Sequence, residues 1–269
     1  MERENLLKIM LLMIIVGFSW SLFTQLNRSQ TYIVDEVHYV CAAKNLLTSV
    51  FGYNITWNIK IPESHVNYIN LEHPPLGKWL IAVCLMLLGD YPYSWRIPSA
   101  VSGVLTVLLA YFIGKKLGGE VAGIVSSLLV ACDPMIYSMS SVAMLDMAQT
   151  VMIVIAIASL LYWDNVVVFS IFAGLSISVK LSSAFILYGI ILYLIVTAET
   201  RIRALIRILT VILVVSVVYL IVNVPLIIHF GPEEWFDLQM WMIKVHSSFK
   251  ESHPSLAVPF NFYNSSPSR

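Results

Sequence analysis

Charge is scarce in this sequence. Asp, Glu, Lys and Arg make up 12% of its 269 residues against 58% hydrophobic ones, far from the roughly quarter-charged, half-apolar balance of soluble domains. That shortage argues against a water-soluble fold. The charges present also cancel, 16 basic against 16 acidic side chains, so no net field recruits nucleic acid, and none is expected as a partner. Cysteine is rarer still: Cys41, Cys84 and Cys132 stand apart, in or beside apolar runs. They offer no CxxC or Cys/His spacing for a zinc site or a disulfide framework, and read as packing residues. Internal repeats and low-complexity tracts are missing too.

What the sequence does have is long apolar runs. The first, Leu6 to Phe23, is long enough to span a bilayer and lacks a small-residue cleavage site after it, so it reads as a signal anchor. A polar stretch from about residue 25 to 75 follows. Leu76 to Gly89 is short for a crossing and suits a re-entrant or interfacial helix. Ile97 to Ile113 then leads inward to Lys115-Lys116, Val121 to Tyr137 leads out, and Met147 to Tyr162 leads in again. Val166 to Ala198 is twice the spanning length, with Lys180 near its middle, and predicts a helical hairpin turning there. Its exit meets Arg201, Arg203 and Arg207, after which Ile208 to Ile228 crosses outward and His229 to Arg269 is external. This arrangement of seven spans with an inside N-terminus puts the short basic connectors in the cytoplasm, as the positive-inside bias requires. It also leaves the Asn-x-Ser/Thr patterns at Asn27, Asn54 and Asn264 outside.

Against so apolar a background, the ionisable residues near the outer face stand out. Asp35-Glu36 opens a helical stretch, and two readings coexist. The pair is a helix cap, or Asp35, His38, Tyr39 and Ala42 share one helical face and project a carboxylate into a cleft. Glu72-His73-Pro74-Pro75-Leu76-Gly77-Lys78 sits where the polar loop returns to the membrane. It is either a proline-stiffened helix entry with an interfacial lysine or a rigid holder of charged groups at headgroup level. Arg96 at the mouth of a span and Asp146 before the next are interfacial anchors or site residues. Lys180 is a break in a hairpin or a functional cation.

Taken in order, Asp35-Glu36-Val37-His38, His73-Pro74-Pro75-Leu76-Gly77-Lys78, Trp95-Arg96-Ile97-Pro98-Ser99-Ala100, Met144-Leu145-Asp146 and Gly174 through Lys180 make a sequence that resembles the protein O-mannosyltransferase family, from about Leu6 to Pro254. The resemblance implies an all-α, polytopic transmembrane helical bundle of the C-type glycosyltransferase (GT-C) class, here of about seven spans with juxtamembrane helices in the first external loop. Residues 1–230 would form the catalytic region, and 231–269 an external segment cut short relative to the family. It further implies transfer of mannose, with inversion and without a required metal or cofactor, from a dolichyl- or polyprenyl-phosphate donor to Ser or Thr hydroxyls of proteins outside the cytoplasm. The acidic pair that holds the base and the acceptor-orienting carboxylate falls on Asp35 and Glu36, and the arginine that contacts the lipid phosphate falls on Arg96. His38, Glu72, His73, Lys78, Asp146 and Lys180 complete the expected substrate-binding set. The chain would be a multi-pass protein of the cell or endoplasmic reticulum membrane with its site facing outward, and a homo- or heterodimer is compatible with it.

The chemistry agrees with that assignment. Inverting transfer needs one carboxylate to take the acceptor proton, while a departing phosphate needs a fixed cation rather than an acid. Three rivals remain open on sequence. The same fold with another lipid-linked sugar, or with a lipid or glycan acceptor, satisfies every residue named. A non-catalytic membrane subunit that binds the lipid-linked sugar does so too. A transporter should instead show paired interrupted helices in two related halves, and only the one interruption at Lys180 is visible.

Overall fold

The computed structural model describes residues 2–53 and 56–248, with side chains over 4–53 and 56–245, so Asn54, His253 and Asn264 lie outside it. Among the described residues all regular structure is helical: α1 (Glu2–Phe23), α2 (Glu36–Ser49), α3 (Leu76–Leu88), α4 (Pro92–Ala131), α5 (Pro134–Ser141), α6 (Leu145–Trp163), α7 (Val166–Val179), α8 (Phe185–Thr197), α9 (Arg201–Phe230) and α10 (Pro232–Ser248). Four of these carry stretches long and apolar enough to cross a membrane, namely Glu4–Phe23, Pro92–Ala131, Leu145–Trp163 and Arg201–Phe230. α3, at 13 residues, is only about 20 Å long and falls short of a hydrocarbon core of about 30 Å.

α4 is one helix by hydrogen bonding and two by shape. Gly118 and Gly119 leave helical geometry, Gly119 at φ +81°, a left-handed value that a side chain would resist. The chain doubles back there: Ser127 Oγ donates to the Val107 carbonyl at 3.0 Å, and Tyr111 packs so closely on Gly123 that a Cβ would strike its ring. The expected inward and outward runs thus form a hairpin with Lys115 and Lys116 at its tip. The outward arm ends at Ala131, earlier than the expected Tyr137. Asp133 there caps a new helix, α5, by accepting from the amides of Met135 (2.8 Å) and Ile136 (2.9 Å), and Pro134 follows at the first helical position, where its missing N–H costs nothing.

The expected turn near Lys180 is also present. Lys180 is extended (φ −152°, ψ 129°), and a 3₁₀ turn over Leu181–Ala184 separates α7 from α8. α6, α7 and α9 form the centre of the bundle around Phe169, Ala173, Ile177, Val211 and Val215. After Gly231, at φ +85°, α10 does not run away from the bundle as a free external segment would. It packs antiparallel on α9, with Tyr219 Oη 2.6 Å from Gln239 Oε1 and Trp235 Nε1 3.2 Å from Asn223 Oδ1.

This layout gives the molecule two chemically distinct ends. At one, Lys115, Lys116 and Arg207 gather near the α6–α7 turn: Lys116 lies 5.3 Å from the Tyr162 ring and Arg207 pairs with Asp164 at 2.6 Å. At the other lie α2, the loop before α3, the starts of α3, α4 and α6, and the break at Lys180. Leu145 of α6, Gly77 of α3 and Val179 of α7 meet there, and Gly77 has no room for a Cβ against Leu145.

Candidate active site

A buried ion pair fixes the start of α2. Arg96 of α4 and Glu36 are 1% and 0% exposed, and the guanidinium grips the carboxylate with Nε on Oε1 (2.7 Å) and Nη2 on Oε2 (2.8 Å). Glu36 also accepts from the amides of Ala143 (2.8 Å) and Ile33 (2.9 Å). One carboxylate therefore ties together α4, the α5–α6 junction and the chain entering α2. The remaining N–H groups of Arg96 reach the carbonyls of Leu26, Ser29 and Thr31 at 2.7, 3.0 and 3.2 Å. All five guanidinium donors are committed.

In this structure Arg96 and Glu36 spend their hydrogen-bonding capacity on each other and on the backbone, whereas the expectation placed Arg96 against a lipid phosphate and Glu36 against the acceptor. Lys78 is engaged in the same way. It is 2% exposed, and its three N–H groups point at the carbonyls of Ile69 (3.4 Å), Asn70 and His73 (2.7 Å). It clamps the loop that returns to the membrane and does not reach out of it.

Asp35 differs from its neighbour. It is half-buried at the N-cap of α2, and its carboxylate makes no capping bond and has no other hydrogen bond or ion pair among the described residues. One turn on, His38 Nδ1 lies 2.9 Å from His65 Nε2, and the rings of His38, His65 and Tyr68 cluster with centroids 4.9 to 5.9 Å apart. Tyr39 faces His73 at 6.0 Å. Burial pushes the Tyr39 phenol well above its ordinary value, and the charges of Asp35, Asp146 and Glu72 act in the same direction. Burial, together with the charges of Glu72 and Asp35, also raises Tyr68. The Tyr68 hydroxyl donates to Glu72 Oε2 at 3.0 Å.

Asp146, in the first turn of α6, carries the cation of this region: Lys180 Nζ is 2.9 Å from its Oδ1, with the side chains 27% and 36% exposed. The expected residues thus fall into two groups. His38, Glu72 and His73 contact Tyr39 or Tyr68, Asp35 lies one turn from His38, and Asp146 and Lys180 pair with each other, whereas Glu36, Arg96 and Lys78 are buried among their own partners. Among the described residues no group of three His, Cys, Asp or Glu side chains is placed to hold a metal ion.

Sequence reasoning passed over a second buried pair. Lys44 of α2, 0% exposed, meets Asp90 at 2.7 Å inside a box of Tyr32, Trp57 and Trp95 rings 5.2 to 5.5 Å from its Nζ. It also donates to Tyr32 Oη (3.1 Å) and the Ile59 carbonyl (2.8 Å). The available signal was a lone lysine in the run Val40-Cys41-Ala42-Ala43-Lys44, because a cation is not buried without an anion. His65, Tyr68 and Asn70 were missed as well, since nothing in the loop's own sequence says which helix it folds onto. Asn45 holds it there by donating to the carbonyls of His65 and Tyr68, both at 2.8 Å.

Comparison with known proteins adds a separate line. Residues 72–229 match the family described as dolichyl-phosphate-mannose-protein mannosyltransferase. A polyprenol-phosphate-mannose–protein mannosyltransferase of Mycolicibacterium smegmatis is 31% identical over 132 residues, 49% of this chain and 24% of that protein. The protein of the same name from Corynebacterium glutamicum is 34% identical over 119 residues, 44% of this chain and 22% of its own length. An undecaprenyl phosphate-alpha-4-amino-4-deoxy-L-arabinose arabinosyl transferase of Pseudomonas savastanoi is 33% identical over 89 residues, 33% of this chain and 15% of that protein. The chain thus spans about a quarter or less of the length of these relatives.

Proposed function

Since this chain belongs to the dolichyl-phosphate-mannose-protein mannosyltransferase family, we propose that it is a membrane glycosyltransferase that moves mannose from a polyprenyl-phosphate donor to Ser or Thr hydroxyls, with Asp35 as the general base. The observation that carries this reading is the uncommitted carboxylate of Asp35 in a neighbourhood where Glu36, Glu72 and Asp146 all have partners. A base must reach a substrate proton; Glu36 is saturated with donors, Glu72 and Asp146 each have one oxygen already bonded, and Asp35 has both oxygens unbonded among the described residues.

In the proposed reaction the acceptor oxygen attacks the anomeric carbon from the face opposite the phosphate. As that bond forms, the carbon–oxygen bond to phosphate breaks, its electron pair leaves on the phosphate, and Asp35 takes the hydroxyl proton. The outcome is inversion with no covalent intermediate on the enzyme. Of the three cations expected near the phosphate, Lys180 is the one that is part-exposed and held by a single ion pair. It is assigned to the leaving phosphate, with Asp146 as its holder. Arg96 and Lys78 become positioning residues, the first for the α2 start and the second for the returning loop. The reaction takes place on the extracytoplasmic side, at the end of the bundle opposite Lys115 and Arg207.

The test is transfer of labelled mannose from a polyprenyl-phosphate mannose to a Ser/Thr peptide by the protein in detergent or nanodiscs. Asp35→Asn should reduce transfer by at least about 10²-fold, the lower range of general-base contributions, while leaving thermal stability unchanged because no partner is lost. Undiminished transfer by the variant would remove Asp35 from the mechanism. The match to an aminoarabinose transferase supports a second reading, in which the same lipid phosphate carries another sugar. Offering the donor lipid with several sugars separates the two.

A further inference from the structure

We infer that Tyr68, Asn70 and Glu72 form the subsite that reads the hydroxyls of the transferred sugar. The inference rests on the transferase reading above and gives it a specificity determinant.

Three features of the loop before α3 carry it. The first is a closed polar triad. Tyr68 Oη donates to Glu72 Oε2 at 3.0 Å, and Asn70 Nδ2 donates to Tyr68 Oη at 2.7 Å and to Glu72 Oε2 at 3.2 Å. The two bonds that reach Glu72 both fall on Oε2, so Glu72 Oε1 is left without a partner among the described residues on a half-buried side chain. The second is an unmet demand. Asn70 is 4% exposed and its Oδ1 has no donor, a costly state for a buried acceptor unless a ligand or water supplies one. Two neighbouring acceptors without donors, one carboxylate and one amide, suit the adjacent hydroxyls of a pyranose, which present donors at hydrogen-bonding spacing.

The third feature is placement and rigidity. Tyr68 packs edge-on against His38, one turn from Asp35, with ring centroids 5.9 Å apart, and against His65 at 5.4 Å, which gives a sugar's C–H face an apolar wall. Asn45 fixes the Tyr68 carbonyl, and Lys78 fixes those of Ile69, Asn70 and His73. Asn67 and Asn70 hold left-handed backbone conformations at φ +63° and +52°, which asparagine tolerates better than most residues. The triad is thus preorganised before any ligand arrives, the condition for discriminating hydroxyl positions.

Binding, not turnover, gives the cleaner test. The full chain in nanodiscs is titrated with a short-chain polyprenyl phosphate, with its mannosyl ester and with its glucosyl ester, which differs only at one hydroxyl. The wild type should bind the mannosyl ester more tightly than the bare phosphate, and Tyr68→Phe and Glu72→Gln should each lower that increment by roughly tenfold, one hydrogen bond's share, and narrow the mannosyl-to-glucosyl ratio. Binding of the bare phosphate should be unaltered, which also shows that the variants are folded. Variants that keep both the increment and the ratio would overturn the sugar subsite and leave the transferase reading standing. A wild type that binds none of the three ligands would overturn the transferase reading itself.

Discussion

Glu36 accepts four hydrogen bonds and its neighbour Asp35 accepts none on its side chain, because successive helical positions point about 100° apart. One faces the seam between α2 and α4, and the other faces the His38–Tyr39 side. The two carboxylates should therefore answer mutation in opposite ways. Glu36→Ala leaves the Arg96 cation buried without a counter-ion and should cost about 3–5 kcal/mol, read as a loss of unfolding free energy in detergent, whereas Asp35→Asn should lower activity and leave stability alone. A Glu36→Ala protein as stable as wild type would show the pair to be dispensable. The acidic pair itself was visible in sequence, and so was the candidate face of Asp35, His38 and Tyr39. The division of labour was not, because Arg96 lies 60 residues from Glu36 and a guanidinium open to a phosphate has the same sequence as one closed on a carboxylate.

At the scale of elements, the loop between α2 and α3 depends on the helices beneath it, against which its Trp57 and Ile59 pack. Lys44 and Asp90 hold its first part, with Asp90 Oδ2 accepting from the Ile59 amide at 2.8 Å. Burial lowers the Lys44 pKa and Asp90 opposes that shift, so removing either partner leaves a charge stranded. Lys44→Ala should speed hydrogen exchange over residues 56–75 while the spanning helices stay protected. Unchanged exchange there would mean that the aromatic box alone suffices.

The second part of the loop carries a pH dependence. Burial and the proximity of His38 lower the His65 pKa, so the folded loop binds fewer protons than the unfolded chain just below the ordinary histidine value. Its stability is complete above about pH 6.5 and declines as pH falls through the depressed folded value. Protection of the His65–Tyr68 amides, taken relative to their intrinsic exchange rates at each pH, should fall on acidification, and His65→Gln should flatten that response. From sequence this stretch reads only as a polar loop, since its anchors Lys44, Asn45, Lys78 and Asp90 come from other elements.

Across the whole molecule the charges sort by end: Lys115, Lys116 and Arg207 lie at one, and Asp35, Glu72, Asp146 and Lys180 at the other. The proposed orientation, with the candidate site outward, follows the positive-inside bias. Ser64→Cys and Lys116→Cys, each in a background with Cys84 and Cys132 replaced by serine, test this in intact cells. An impermeant maleimide should label position 64 and spare position 116, and the reverse pattern would invert the topology. By itself the sequence determined the helical class, the apolar runs, the reversals after Lys115-Lys116 and near Lys180, and the ionisable residues too costly to place in lipid without a reason, because these follow from local composition and period. Only the tertiary structure decided which cation faces which anion, that α10 returns along α9, and that the loop of Tyr68 and Asn70 packs on His38, one turn from Asp35. Those outcomes depend on the burial and competing partners of groups far apart along the chain.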